Sequence, residues 1–240
     1  MEQGDEFNAD EIIQALQSVH ADLGAPENEG LRERKKRRLR QRLSDVATAM
    51  FLAEGFENVS VARIAEACEV SEQTVFNYFP TKESMFYDRS EAATAALADA
   101  IRTRGPDSLA EVIASVLVDG HVPGQWGGLE ETQILAMFRR FGEVAESSPT
   151  LRAAPYLQLP DFVATIGEAL AERIGADADD PEAQVIAVLI AGVFRIRATA
   201  GFGHVKRLKT IKGVNDAVRA DIERAVAVAA PSLDAFERRR

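Results

Sequence analysis

The densest group of residues able to recognise another molecule lies in "VSEQTVFNYFPTKE", Val70 to Glu83. Gln73 and Asn77 carry amides that can bond bidentately to adenine, and Thr74 offers a hydroxyl for a phosphate or a methyl for thymine. Tyr78 adds a polar tip, and Lys82, just past Pro80, can hold a phosphate. At helical spacing Val75 and Phe79 share one face, so they, with Phe76, are expected to anchor the segment while Gln73, Thr74, Asn77 and Tyr78 point outward. A second group is "LRERKKRRLRQR", Leu31 to Arg42, with eight basic residues against one acidic. From it Arg34, Lys35, Arg38 and Arg42 suit a nucleic-acid backbone or a minor-groove arm. Taken singly, each feature has a plainer reading: a charge run is usually a solvated face, and aromatics beside a proline are usually core.

Other chemistries find little support. His20, His121 and His204 are scattered and read as surface or turn residues, so no metal site is expected. No nucleophile lies near a base and an orienting carboxylate, and the GxG of "GFGH" at 201 is too isolated to name a nucleotide site. The chain is therefore expected to be no enzyme and to need no cofactor. One cysteine, Cys68, rules out an intrachain disulfide, suits a reducing compartment and reads as a small core residue. Eight acidic residues and no lysine or arginine precede Leu31, unlike a signal peptide. "VIAVLIAGVFRI" is interrupted by Arg195, so no membrane span is expected and the protein reads as soluble and cytoplasmic. The net charge of -10 hides an acidic arm set against a basic block.

These groups need elements to position them, and the pattern is helical throughout. Asn8 could cap a helix over residues 8–23, with Ile12, Leu16, Val19 and Leu23 as its stripe; a disordered acidic tail is the alternative. Leu31 to Glu54 reads as one long helix ended by Gly55. Ser60 caps a second in "VARIAEAC", Ser71 a third from Glu72 to Phe79, and Thr81 a fourth from Lys82 to Ala100. Further helices are expected at Ser108–Val118, Leu129–Glu146, Pro160–Ile174, Pro181–Thr199 or slightly beyond, and Ile211–Ala229. Between them "DGHVPGQWGG", "SSPT" with "RAAP", and "GFGHVKRLKT" read as breakers. The fold class is all-α: two short helices joined by a tight turn behind a supporting helix, then a helical bundle.

The run Leu43 to Phe86 resembles the DNA-binding domain of the TetR family of transcriptional repressors, through "AxxxFxxxGFxxxSVxxIA" followed by "VSxxTVFxYFxTKExxF". The resemblance implies a helix-turn-helix domain over 31–86 and an effector-binding and dimerisation domain over 87–240, while the acidic extension over 1–30 has no counterpart in the family's common pattern. It implies a homodimer on a double-stranded, palindromic operator, released by a small hydrophobic or amphipathic effector. By motif position Thr74, Tyr78 and Lys82 would hold phosphates, Ser60 would lie near the backbone, and Gln73 and Asn77 would read bases. Phe76 departs from the pattern, since the family often has a phosphate-contacting tyrosine there. Gln73 departs too, replacing a usual glycine or small residue. The alternative reading is a helical scaffold that has lost its DNA contacts.

For the effector, Trp126, Met137, Phe138, Phe141, Tyr156, Phe162 and Phe194 are candidates, with plain helix packing as the competing reading. Arg195 and Arg197 interrupt an apolar helix, so they either pair with carboxylates or receive an anionic effector. The last two long helices, apolar and amphipathic, are expected to form the dimer contact.

Overall fold

In the computed structural model residues 12–14, 16, 30–103, 107–118 and 129–239 are described, and their regular elements are all α-helices. Leu43, Val46, Ala47, Phe51 and Leu52 bury one stripe of α1 (Leu31–Glu54), which stops where Gly55 takes φ 87°. Three short helices follow: α2 (Val61–Ala67), α3 (Glu72–Tyr78) and α4 (Lys82–Phe86). Ser60, Ser71 and Thr81 each cap one by accepting a backbone N–H, as their positions predict. Then come α5 (Asp88–Thr103), α6 (Leu109–Val118), α7 (Glu131–Ser147), α8 (Pro149–Leu157), α9 (Leu159–Ile174), α10 (Pro181–Arg207) and α11 (Ile211–Glu237). In the acidic arm Ile12 and Leu16 are helical and buried, while Asn8, Val19 and Leu23 lie outside the described residues.

The chain divides into two compact units that do not follow chain order: Met1–Asp88 with Gly124–Arg152, and Arg89–Pro123 with Ala153–Arg240. In the first, α1 packs against α2, α4 and α7. Its centre is aromatic: Phe51 meets Phe56 at 4.9 Å and Phe86 stacks on Phe141 at 4.1 Å. Arg140 of α7 donates to the Leu52 carbonyl at 2.8 Å, and Ser148 donates to Glu57 at 2.5 Å.

Three expectations are corrected. The fourth helix is two, because the chain turns at Tyr87 between α4 and α5. The expected breaker "RAAP" lies inside α8, where Pro155 offers no N–H to the carbonyl four residues back. That carbonyl, of Leu151, instead accepts the Tyr87 hydroxyl at 2.9 Å, and burial pushes the phenol pKa up to about 12. Finally, α10 runs through Gly201 and Gly203 to Arg207, and α11 passes Pro231 to Glu237. Burial of Val205 beyond the first breaker, and of Leu233 and Phe236 beyond the second, outweighs local propensity. So extended, α10 is long and apolar enough to cross a membrane by length and composition, although it packs against α9 and α11.

In the second unit α10 pairs with α9 and α11, and α11 with α6. Its buried polar centre is Arg173, whose side chain is 3% exposed. The guanidinium binds Glu237 at 2.7 Å and the carbonyls of Ile101 and Asp107 at 3.0 and 2.5 Å. The other oxygen of Glu237 accepts the Leu109 N–H at 2.8 Å, so one carboxylate both neutralises Arg173 and satisfies the start of α6. Removing one partner of a buried ion pair strands the other, at about 3 to 5 kcal/mol. Arg173→Met is expected to lower unfolding stability by about that amount, read from the urea midpoint. An unchanged midpoint would mean that the pair contributes nothing.

Candidate nucleic-acid interface

The interface begins with the turn between α2 and α3. Val70 N–H donates to the Ala65 carbonyl at 3.0 Å and Glu69 N–H to that of Glu66 at 3.0 Å, the paired bonds of a Schellman ending. This ending needs a left-handed residue just past the helix, and Glu69 supplies it at φ 55° where glycine is usual. The turn sets the angle at which α3 leaves α2.

A seven-residue helix cannot persist alone in water, so α3 is held by its surroundings. Val75 and Phe79 are fully buried, each stabilising by about 1.5 to 3 kcal/mol. Arg40, which the sequence reading did not single out, donates to the Tyr78 carbonyl at 2.6 Å and to Asp88 at 2.5 Å. Its guanidinium also lies 4.4 Å from the centre of the Phe79 ring. One side chain of α1 thus ties off the last turn of α3 and secures the residue that opens α5. The only sequence signal for it was membership of the basic block.

Lys82 is likewise engaged within the unit. Its ammonium donates to the carbonyls of Phe56 and Val59 at 2.9 and 3.0 Å and sits 4.0 Å from the centre of the Phe56 ring. Two of its three donors therefore lock the α1–α2 link to the start of α4. Ser60 spends its hydroxyl on the Arg63 N–H at 3.3 Å.

What α3 exposes is polar, with one exception. Gln73 and Asn77 are exposed, and Thr74 and Tyr78 half-exposed. Gln73 donates to the Asn77 carbonyl oxygen at 3.2 Å, which leaves Gln73 Oε1 as acceptor and Asn77 Nδ2 as donor. That pairing complements the N6 amine and N7 of adenine. Phe76, expected as an anchor, is instead 43% exposed, because Val75 and Phe79 already fill the inward face. Arg34, Lys35, Arg38 and Arg42 are all exposed on α1, with Arg34, Arg38 and Arg42 four residues apart along one face.

The effector candidates separate. Phe138 and Phe141 lie in the first unit, where Phe141 is committed to the stack on Phe86, and Trp126 lies outside the described residues. Within the second unit Phe162 meets Phe194 at 5.2 Å, and Arg195 donates to the Tyr156 hydroxyl at 2.7 Å. Arg197 is half-buried and donates to the Leu117 carbonyl at 2.8 Å; desolvation depresses its pKa. His204, expected as a surface or turn residue, lies within α10 and bonds Asp221 at 2.8 Å.

Two short helices at a fixed turn, backed by α1 and presenting amides outward, define a helix-turn-helix DNA-binding unit. Residues 43–87 match the family model described as bacterial regulatory proteins, tetR family, and residues 131–206 match the MftR C-terminal domain. The HTH-type transcriptional regulator TcmR of Streptomyces glaucescens is 33% identical over 159 residues, which span 65% of this chain and 69% of that protein. A crystal structure from Mesorhizobium loti MAFF303099 assigned to the TetR family is 18% identical, covering 80% of this chain and 96% of that one with a TM-score of 0.38. The chain belongs to the TetR family of transcriptional regulators.

The strained turn gives a prediction. A side chain held left-handed costs about 1 to 2 kcal/mol, partly offset in glycine by backbone entropy. Glu69→Gly is expected to raise stability by up to about 1 kcal/mol in urea unfolding, with DNA affinity unchanged. A loss of stability would mean that the Glu69 side chain holds the turn.

Proposed function

We propose that the protein is a ligand-responsive repressor that binds a palindromic operator as a homodimer in the cytoplasm. The observation that carries this reading is the outward presentation of Gln73, Thr74, Asn77 and Tyr78 by a helix fixed at both ends. Gln73 and Asn77 read base edges, while Thr74, Tyr78, Lys82 and Ser60 lie against phosphates. Arg34, Lys35, Arg38 and Arg42 add attraction along the backbone. Functionally the chain divides into an acidic extension over 1–30, a DNA-binding domain over 31–86 and an effector and dimer domain over 87–240.

Dimerisation through α10 and α11 is supported by what those helices leave uncovered. Val185, Val188 and Ile196 on α10 are exposed, as is Val228 on α11 at 82%. Apolar residues so placed along two adjacent helices favour a second copy of the same surface. For the effector, the groups that remain together are Tyr156, Phe162, Phe194 and Arg195, with Arg197 beside them in sequence. Aromatic rings with cationic tips suit an amphipathic molecule, and its binding would release the operator by changing the separation of the two α3 helices.

The test is a titration of the full-length protein against the duplex upstream of its own gene at two salt concentrations. Specific binding that weakens steeply with salt is expected. Gln73→Ala and Asn77→Ala should each cost roughly 1 to 3 kcal/mol and relax sequence preference at one position. Lys82→Ala should weaken all sequences alike. Binding that ignores sequence would overturn the repressor reading, and no binding at all would favour the scaffold alternative.

A further inference from the structure

Phe76 is the apolar exception on the presented face of α3. Among the described residues of the first unit, only it and Leu31 are large apolar side chains left exposed. It is not needed to dock the helix, since Val75 and Phe79 are wholly buried. It stands three residues from Gln73 and one from Asn77, so the ring flanks the two amides on the outer surface. Both ends of α3 are fixed, by the Ser71 cap and by Arg40 at the Tyr78 carbonyl, so the ring's position is set by the fold.

A phenyl ring cannot bond a phosphate or any donor or acceptor on a base edge. The major groove offers one apolar group, the C5-methyl of thymine. We propose that Phe76 is a specificity-determining residue that reads a thymine methyl beside the bases bonded by Gln73 and Asn77. The inference rests on the proposed operator binding. Contact removes one methyl and part of the ring from water, and that gain is missing opposite cytosine, adenine or guanine. The recognition helix then combines two kinds of readout in one turn: amides that select adenine by hydrogen bonds, and a ring that selects thymine by exclusion of water.

The experiment uses the full-length protein and a duplex recovered with it from a randomised pool. Each thymine of a half-site is replaced in turn by deoxyuridine, which keeps every hydrogen-bonding group and removes only the methyl. The unsubstituted protein is expected to lose about fourfold in affinity at one thymine per half-site, the worth of one buried methyl. Phe76→Ala should bind the thymine duplex more weakly and no longer distinguish the two bases there, while Phe76→Leu should retain part of the discrimination. Because Phe76 is exposed, neither change is expected to move the urea midpoint. Equal affinity for both bases at every position, or full discrimination retained by Phe76→Ala, overturns the inference while leaving operator binding standing. Absence of any specific duplex overturns operator binding and this inference together.

Discussion

The Arg40 side chain joins three things that the interface needs in one place. Its guanidinium closes the last turn of α3 at Tyr78, covers the Phe79 ring and pairs with Asp88. A helix of seven residues has too few internal bonds to hold its own shape, so its orientation comes from such external ties. The strained Glu69 turn fixes the other end, and Lys82 bonds two carbonyls of the preceding link. Rigidity matters because a base contact is worth a useful fraction of its energy only when the amides arrive already placed.

This produces a division of labour along one short segment. Val75 and Phe79 face inward and are spent on packing; Gln73, Phe76 and Asn77 face outward. Basic residues divide the same way. Arg40 directs its donors into the unit and Lys82 two of its three, whereas Arg34, Lys35, Arg38 and Arg42 remain exposed. Counting positive charge therefore overstates what is available to a polyanion. The second unit follows similar physics, with Arg173 buried on two carbonyls and a carboxylate rather than aimed at solvent.

The helix-turn-helix was legible because its signals are local: three capping hydroxyls, the spacing of Val75 and Phe79, and Pro80. The family motifs were legible for the same reason, as they lie within one continuous run. What could not be read depends on distant partners. Nothing near Pro155 announces that Tyr87 takes up the freed Leu151 carbonyl, so the helix through it was missed. Gly201, Gly203 and Pro231 signal breaks, yet burial of Val205, Leu233 and Phe236 carries α10 and α11 past them. Phe141 looked like a pocket aromatic, but α7 returns to pack with α1, and its ring meets Phe86. Phe76 reads as inward because aromatics usually are, yet Val75 and Phe79 already fill the inward face.

If α3 acts as proposed, its exposed face enters the major groove and bonds adenine through N6 and N7. Replacing each adenine of an operator duplex by 7-deazaadenine removes the N7 acceptor from the major groove and leaves the minor groove unchanged. Affinity is expected to fall at adenines in two clusters about one helical turn apart, on one face of the DNA. Equal affinity at every substituted adenine while specific binding persists would mean that α3 does not read the major groove.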